Sequence, residues 1–496
     1  MLFNSYSFLL FFPIVVFLYF IIPAKARQVW LLIASYFFYM CWNWKYILLI
    51  MFITFVTYIA AIIIEKKRNR KKNVRKVLAL CVTTSISLLV VFKYLDFCVD
   101  TVNRILSMAR ISAVNNPFSL VLPVGISFYT FQALSYAIDV YRGDTPVEKN
   151  FIRYALFVSF FPQLVAGPIE RSGNLLRQIG EVPNKKNLFE GKRIKNGLYM
   201  MLWGMFLKMV IADRIAILVN KVFDEYYLYG TIGLAIGAVA FAIQIYCDFS
   251  SYSIIAIGAA RVMGFSLMEN FNTPYFADSI KDYWRRWHIS LSMWFRDYVY
   301  IPLGGNRCSR VKKYRNIIIT FGASGLWHGA NWTFIAWGLL HGIYQIVGEL
   351  TNPIRKRVCD ITGINRNVFS YKLGRIIGTF ILVDFSWILF RAESIGKAIA
   401  YIKRMLTSFD GYAFFNISSY DWGLSTYEIN ILIVSLMVLL CVSIIKRKKN
   451  MGFAEMLEGQ NVIFKMLTVY VFIMAIVIFG EYGSGMSASD FIYFQF

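Results

Sequence analysis

The sequence predicts an all-α polytopic membrane protein: about ten transmembrane helices, re-entrant segments and one interfacial amphipathic helix. Three observations carry that expectation. Hydrophobic residues make up 58% of the 496-residue chain and the mean hydropathy is +0.55, whereas a soluble domain is about half apolar. Apolar runs recur at about 17–25 residues, the length of a helix that crosses a bilayer. The basic residues behind the net charge of +24 sit in short loops between those runs, as the positive-inside rule expects. That placement accounts for the charge without a nucleic-acid partner, and such loops also suit anionic lipid headgroups.

Charge orients the first spans. Runs at roughly 6–22, 28–44 and 46–64 are followed by Lys25 and Arg27, by a tight turn, and by the basic stretch Glu65 to Lys76. No Lys or Arg precedes Lys25, so the first run is read as a helix and not as a cleaved leader. Placing both basic loops in the cytoplasm puts the N-terminus outside. A span near 77–95 then leaves the cytoplasm, and one near 119–141 returns.

The segment Phe151 to Pro168 is short, broken by Pro162 and Gly167, and flanked on both sides by basic residues. It is expected to dip into the membrane and return, which requires protein or a cavity to cover its broken backbone. Spans near 197–219 and 232–258 follow. The second carries Asp248 within the polar island Tyr246-Cys-Asp-Phe-Ser-Ser-Tyr-Ser253. Asp248 either lines a substrate path or cross-links helices; the sequence leaves both open.

Residues 279–300 carry Trp284, Trp287, Leu291, Trp294 and Tyr298 at helical spacing. Asp282, Arg285, Arg286, Arg296 and Asp297 make the stretch too polar to span. A helix with an aromatic face and basic flanks belongs at the membrane surface, and His288 sits on it. Arg315 and Arg355 then bracket 316–350 on the same side, so this stretch is expected to go in and come back, turning near Gly329 to Asn331. The last spans fall near 373–391, 428–445 and 463–481, leaving both termini outside. The whole chain, 1–496, reads as one transmembrane domain: N-terminal helices 1–118, core motifs at about 119–350 and C-terminal helices 373–496.

Two of the three histidines, His328 and His341, lie in that in-and-out stretch. A histidine at membrane depth is costly and is by default a functional candidate, and imidazole titrates nearest neutrality. His328 is either a general base or a buried ring bonded to a backbone carbonyl. Its setting of Gly325, Trp327, Gly329, Asn331 and Trp332 favours the first. Glycine admits close approach, Asn331 can orient an imidazole, and indoles bring an N–H. The 13 steps from Arg315 put His328 about 20 Å deep if helical. His341 lies nearer the cytoplasmic end beyond the turn and reads as structural. Seven cysteines are scattered without metal-ligand spacing, so neither a metal site nor a disulfide framework is expected.

Several blocks together resemble the membrane-bound O-acyltransferase family, in its alginate O-acetylation branch. They are Leu122-Pro-Val-Gly-Ile-Ser-Phe-Tyr129, Phe161-Pro-Gln-Leu-Val-Ala-Gly-Pro-Ile-Glu170, Trp284-Arg-Arg-Trp-His-Ile-Ser-Leu-Ser292, Phe295-Arg-Asp-Tyr298, Ile301-Pro-Leu-Gly-Gly-Asn-Arg307, Leu326-Trp-His-Gly-Ala-Asn-Trp332 and the terminal Phe491-Ile-Tyr-Phe-Gln-Phe496. Their number and order are specific where no single one is. One departure stands out: the family commonly shows Asp-Phe-Ser-Gly-Tyr-Ser-Asp, and here Ser251 and Ile254 replace the glycine and the second acid while Asp248 remains.

The resemblance implies a central chamber open to both faces, His328 as the essential histidine and His288 as a second functional one. It implies transfer of an acetyl group from a cytoplasmic thioester, acetyl-coenzyme A, to an extracytoplasmic hydroxyl of a polysaccharide in the bacterial plasma membrane. A separate extracytoplasmic partner protein is expected to take part. No bound cofactor is expected. Asn331, Trp327, Trp332, Asp248, Arg285 and Arg307 are the candidates for contact with substrate. Arg307, Arg310, Lys312, Lys313 or Arg315 would suit coenzyme A phosphates. D-alanyl transfer from a carrier-protein thioester to teichoic acid is the rival within the family; a transporter or flippase is the rival outside it.

Overall fold

Apolar runs in lipid must satisfy their own backbone, which leaves the helix as the available element. The computed structural model describes residues 1–115, 122–165, 167–185, 188–411 and 420–481. Among these the regular elements are helical and no strand occurs. The start of the span expected near 119–141, Ala166 and the block Phe491 to Phe496 lie outside the described residues. Six described helices are long and apolar enough to cross a membrane: Trp44–Asn69, Arg75–Met108, Thr231–Val262, Phe369–Arg391, Thr426–Lys449 and Val462–Phe479. Others on the expected spans are shorter, such as Tyr6–Ile21 and Ile126–Arg142. The multi-pass, all-helical architecture is therefore present.

The chain divides into two compact units, Met1–Met201 with Ser253–Met268, and Leu202–Tyr252 with Glu269–Phe496. In the first, Phe151 to Pro168 is broken as expected. Helix Phe151–Ser159 stops at Phe160, and a single turn, Phe161–Leu164, follows. Side chains from Tyr154 to Leu164 are all buried. The interrupted backbone is bonded by side chains of neighbouring helices. Ser35 Oγ accepts from the Phe161 N–H at 3.1 Å, and Gln132 Nε2 donates to the Phe157 carbonyl at 2.6 Å. Protein cover of this kind is the condition that broken backbone requires. Glu170, at its end, accepts from the Met268 N–H at 2.5 Å and from Asn174 at 2.8 Å, clamping two loops together.

The second unit contains the helical hairpin expected around His328. Helix Arg310–His328 ends at Gly329, and helix Trp332–Ile361 returns alongside it. Glycines set how close the two arms come. A Cβ on Gly325 would lie 2.3 Å from the Phe334 carbonyl oxygen, and one on Gly338 would lie 2.3 Å from that of Phe321. Small residues permit such backbone approach between apolar helices. Gly325→Ala and Gly338→Ala should each destabilise the protein by about 1–3 kcal/mol through overpacking. Helix propensity alone would favour alanine by about 1 kcal/mol, so a lowered thermal midpoint in detergent checks the sign directly.

The interfacial helix expected over 279–300 is not continuous. It runs as Ile280–Trp284, breaks, resumes as Ile289–Phe295, and widens to a π-helix at Arg296–Tyr300. The break falls at His288, whose φ of 41° and ψ of 55° are left-handed. Helical spacing of the tryptophans masked this break. Trp287, Leu291 and Trp294 are nonetheless all buried.

A second π-helix, Leu207–Ala212, interrupts the helix that leads to Asp213–Asp224. Lys208 on it places Nζ 2.6 Å from Asp248 and 2.7 Å from Asp213, with all three side chains at most 5% exposed. Its ammonium also lies 5.8 Å from the centre of the Tyr252 ring. Asp248 is thus held in a buried ion cluster, a placement that suits the cross-linking alternative.

Candidate active site

Packing within the second unit brings His288 and His328, forty positions apart in sequence, onto one indole. The His288 ring lies 5.9 Å from that of Trp327, and the Trp327 ring 5.0 Å from that of His328, both edge-on. Phe249 packs on His288 at 4.6 Å, and Trp337 and Phe390 pack on His328 at 5.1 and 5.4 Å. His288 is fully buried and His328 is 4% exposed. A left-handed backbone at a residue other than glycine costs about 1–3 kcal/mol and persists only where its surroundings over-determine it. Its occurrence at His288 marks this break as more than a helix end.

His341 has a different character. Trp284 Nε1 donates to its Nδ1 at 3.3 Å. The Ser386 hydroxyl donates to the Val383 carbonyl at 2.6 Å and so receives the His341 Nε2–H at 2.8 Å. Both ring nitrogens are thereby engaged in a neutral tautomer, as fits the structural reading.

Asn331 caps the returning helix. Its Oδ1 accepts from the Thr333 N–H at 3.1 Å and its Nδ2 donates to the Glu393 carbonyl at 2.9 Å. The amide therefore shapes the hairpin turn, and the expectation that it orients the His328 imidazole is not met in these bonds. Trp332, at the first turn of that helix, is 47% exposed, while Trp327 is buried between the two histidines. Arg307 is exposed in the turn that follows Tyr300.

A cavity of about 1520 Å³ opens beside the hairpin. Its wall includes Trp284, Ile289, Phe321 and Ser324. Six basic side chains line it, Lys281, Arg285, Arg296, Lys313, Arg355 and Arg375, against the two carboxylates Asp278 and Glu349. Lys313 pairs with Glu349 at 2.5 Å and Arg375 with Asp278 at 3.6 Å, so the lining retains a net positive charge. Arg285 is a substrate-contact candidate from sequence, and Lys313 is one of the phosphate candidates. Lys281, Arg355 and Arg375 join the lining only in the fold, because a sequence shows such residues only as loop charges. His328 is not itself part of the cavity wall. Ser324 is four residues before it on the same helix face, which separates their Cβ atoms by about 5–6 Å.

The family model for MBOAT, the membrane-bound O-acyltransferases, matches residues 31–366. The chain belongs to the membrane-bound O-acyltransferase family. Its MBOAT relatives include a probable alginate O-acetylase AlgI of Pseudomonas syringae pv. tomato, 41% identical over 403 residues that cover 80% of this chain and 74% of the relative. A peptidoglycan O-acetyltransferase of Helicobacter pylori is 36% identical over 440 residues, 82% of this chain and 80% of the relative. A teichoic acid D-alanyltransferase of Streptococcus thermophilus is 28% identical over 298 residues, 56% of this chain and 70% of the relative. The protein is accordingly an O-acyltransferase of the membrane. Among the described residues no group of histidine, cysteine and acidic side chains is arranged to hold a metal ion.

Proposed function

We propose that this O-acyltransferase moves an acetyl group from acetyl-coenzyme A in the cytoplasm to a hydroxyl outside it, for O-acetylation of a cell-surface polysaccharide. A separate extracytoplasmic protein receives or relays the group. The observation that carries the reading is the pairing of two imidazoles on Trp327 one helical turn beyond a cavity with a basic lining.

The chemistry divides between the two histidines. His328 accepts the proton of the acceptor hydroxyl as that oxygen bonds to the thioester carbonyl carbon. The carbon–sulfur bond then breaks, and the same proton passes to the departing thiolate, so an ester and a free thiol result. No net proton is consumed. His288 holds the thioester carbonyl against the developing negative charge or fixes the donor in place. Placement of both reactants in a site that excludes water supplies much of the remaining rate. The His328 ring is nearly sealed, so side chains between Ser324 and His328 part when the thioester enters.

The cavity supports the choice of donor. Coenzyme A carries phosphates, and guanidinium groups bind phosphate strongly through paired N–H donors. The basic residues of its lining also fit the cytoplasmic side by the positive-inside rule. Arg285→Ala and Arg355→Ala should each raise the donor KM by about three- to tenfold with little change in kcat, because such contacts bind ground and transition states alike. Titration with acetyl-coenzyme A at low and high salt checks this, and the defect should shrink as salt screens the wild-type contacts.

D-alanyl transfer is the second reading. The O-acetylating relatives match more of the chain at higher identity, which favours acetyl. Labelled acetyl-coenzyme A supplied to inside-out vesicles tests the proposal. Label should reach glycan or a partner protein in the lumen with wild type and fail to do so with His328→Ala or His288→Ala. Equal labelling in all three would remove the assignment, and no labelling with wild type would redirect it to another thioester.

A further inference from the structure

We propose that Asn270 is a positioning residue for His288, holding that histidine's backbone in the left-handed conformation. The inference rests on the role given to His288 above. It begins with the hydrogen bonds that an unbroken helix over 279–300 would contain. There the Ile289 N–H would donate to the Arg285 carbonyl, and the Ser290 N–H to that of Arg286. Neither bond forms. The Ile289 N–H donates to the Asn270 carbonyl at 3.0 Å, and the Arg286 carbonyl accepts from the Asn272 N–H at 2.9 Å. The Ser290 N–H and hydroxyl donate to Asn270 Oδ1 at 3.2 and 2.7 Å.

The segment 270–272 therefore captures the helix ladder on both sides of His288. A strained conformation survives only where neighbours over-determine it, and these four bonds do so. Two of them end on one carboxamide oxygen that is itself buried, since Asn270 is 1% exposed. The result is a His288 ring directed onto Trp327 and Phe249. Asn270 Nδ2 makes no hydrogen bond among the described residues. The acceptor oxygen is thus the part of the side chain that the break uses, and aspartate reproduces it.

The test uses full-length protein in cells lacking their own copy. The readout is the initial rate at which base-labile acyl ester appears on extracellular glycan, normalised to the protein present in the membrane. This rate does not depend on which thioester is the donor. Asn270→Ala should lower it by about ten- to a hundredfold, the scale for a catalytic group displaced by about an ångström. Asn270→Asp should restore it to within about threefold of wild type. Ser290→Ala, which removes one of the two donors, should lower it about two- to fivefold and remains informative if Asn270→Ala does not accumulate.

The double variant Asn270→Ala with His288→Ala decides between positioning and general support. If Asn270 acts through His288, the double variant matches His288→Ala alone, because the two changes are not additive. A double variant slower than His288→Ala by the full Asn270→Ala factor overturns the inference, as does an Asn270→Asp protein no faster than Asn270→Ala. His288→Ala at the wild-type rate would instead overturn the role of His288 itself.

Discussion

His328→Gln is expected to cut acyl transfer by about 10²–10⁴, the range a positioned general base supplies, while leaving the fold intact. Glutamine approximates the reach and polarity of imidazole but does not accept a proton near neutrality. The ring packs edge-on against Trp327, Trp337 and Phe390, and glutamine keeps part of that volume. Its thermal midpoint in detergent should stay within a few degrees of wild type, so the loss of rate cannot be ascribed to unfolding. His341→Gln should show the reverse. Its ring nitrogens link Trp284 and Ser386, and breaking a buried pair of bonds costs stability of about 1–3 kcal/mol. Rate per folded molecule should hardly move. A His328→Gln protein that still transfers at a tenth of the wild-type rate or better would eliminate its role as base.

What could be read in advance follows the range of the interactions involved. Spans, basic loops and the His328 hairpin are local properties: apolar length, charge between runs, and glycines near a turn. The broken Phe151 to Pro168 segment was also legible, since Pro162 and Gly167 interrupt it in sequence. His288 was recognised as a candidate, but its surroundings were not. Tryptophan spacing over 279–300 matches an α-helix, and only distant partners, Asn270 and Asn272, show why the helix breaks there. The same limit hid Lys281, Arg355 and Arg375, which become one cavity lining only after the hairpin folds. Asn331 misled in the opposite sense. Its nearness to His328 in sequence made it an imidazole partner, whereas a helix start draws Asn into a cap.

Lys208→Met should be the most damaging single change outside the histidines, and its effect should fall on stability. Lys208 Nζ stands between Asp213 and Asp248 at 2.7 and 2.6 Å. Burying charges is favourable only when they are paired, and removing one partner of a buried pair costs about 3–5 kcal/mol. Here the removed group is the cation shared by two carboxylates, so the repulsion it screened is released as well. Asp248→Asn is milder, because Lys208 keeps Asp213 and the amide can still accept its hydrogen bond. The two substitutions therefore separate two roles for Asp248. If it serves the ion cluster, Asp248→Asn loses membrane abundance and thermal midpoint in a smaller measure than Lys208→Met, and any loss of rate per folded molecule tracks the loss of midpoint. If its carboxylate touches substrate, the rate per folded molecule falls at unchanged midpoint. Phe249, the next residue, packs on His288 at 4.6 Å, so a cluster that loosens should also disturb the site. A partial loss of rate that tracks the loss of thermal midpoint across Asp248→Asn, Asp213→Asn and Lys208→Met would carry that signature.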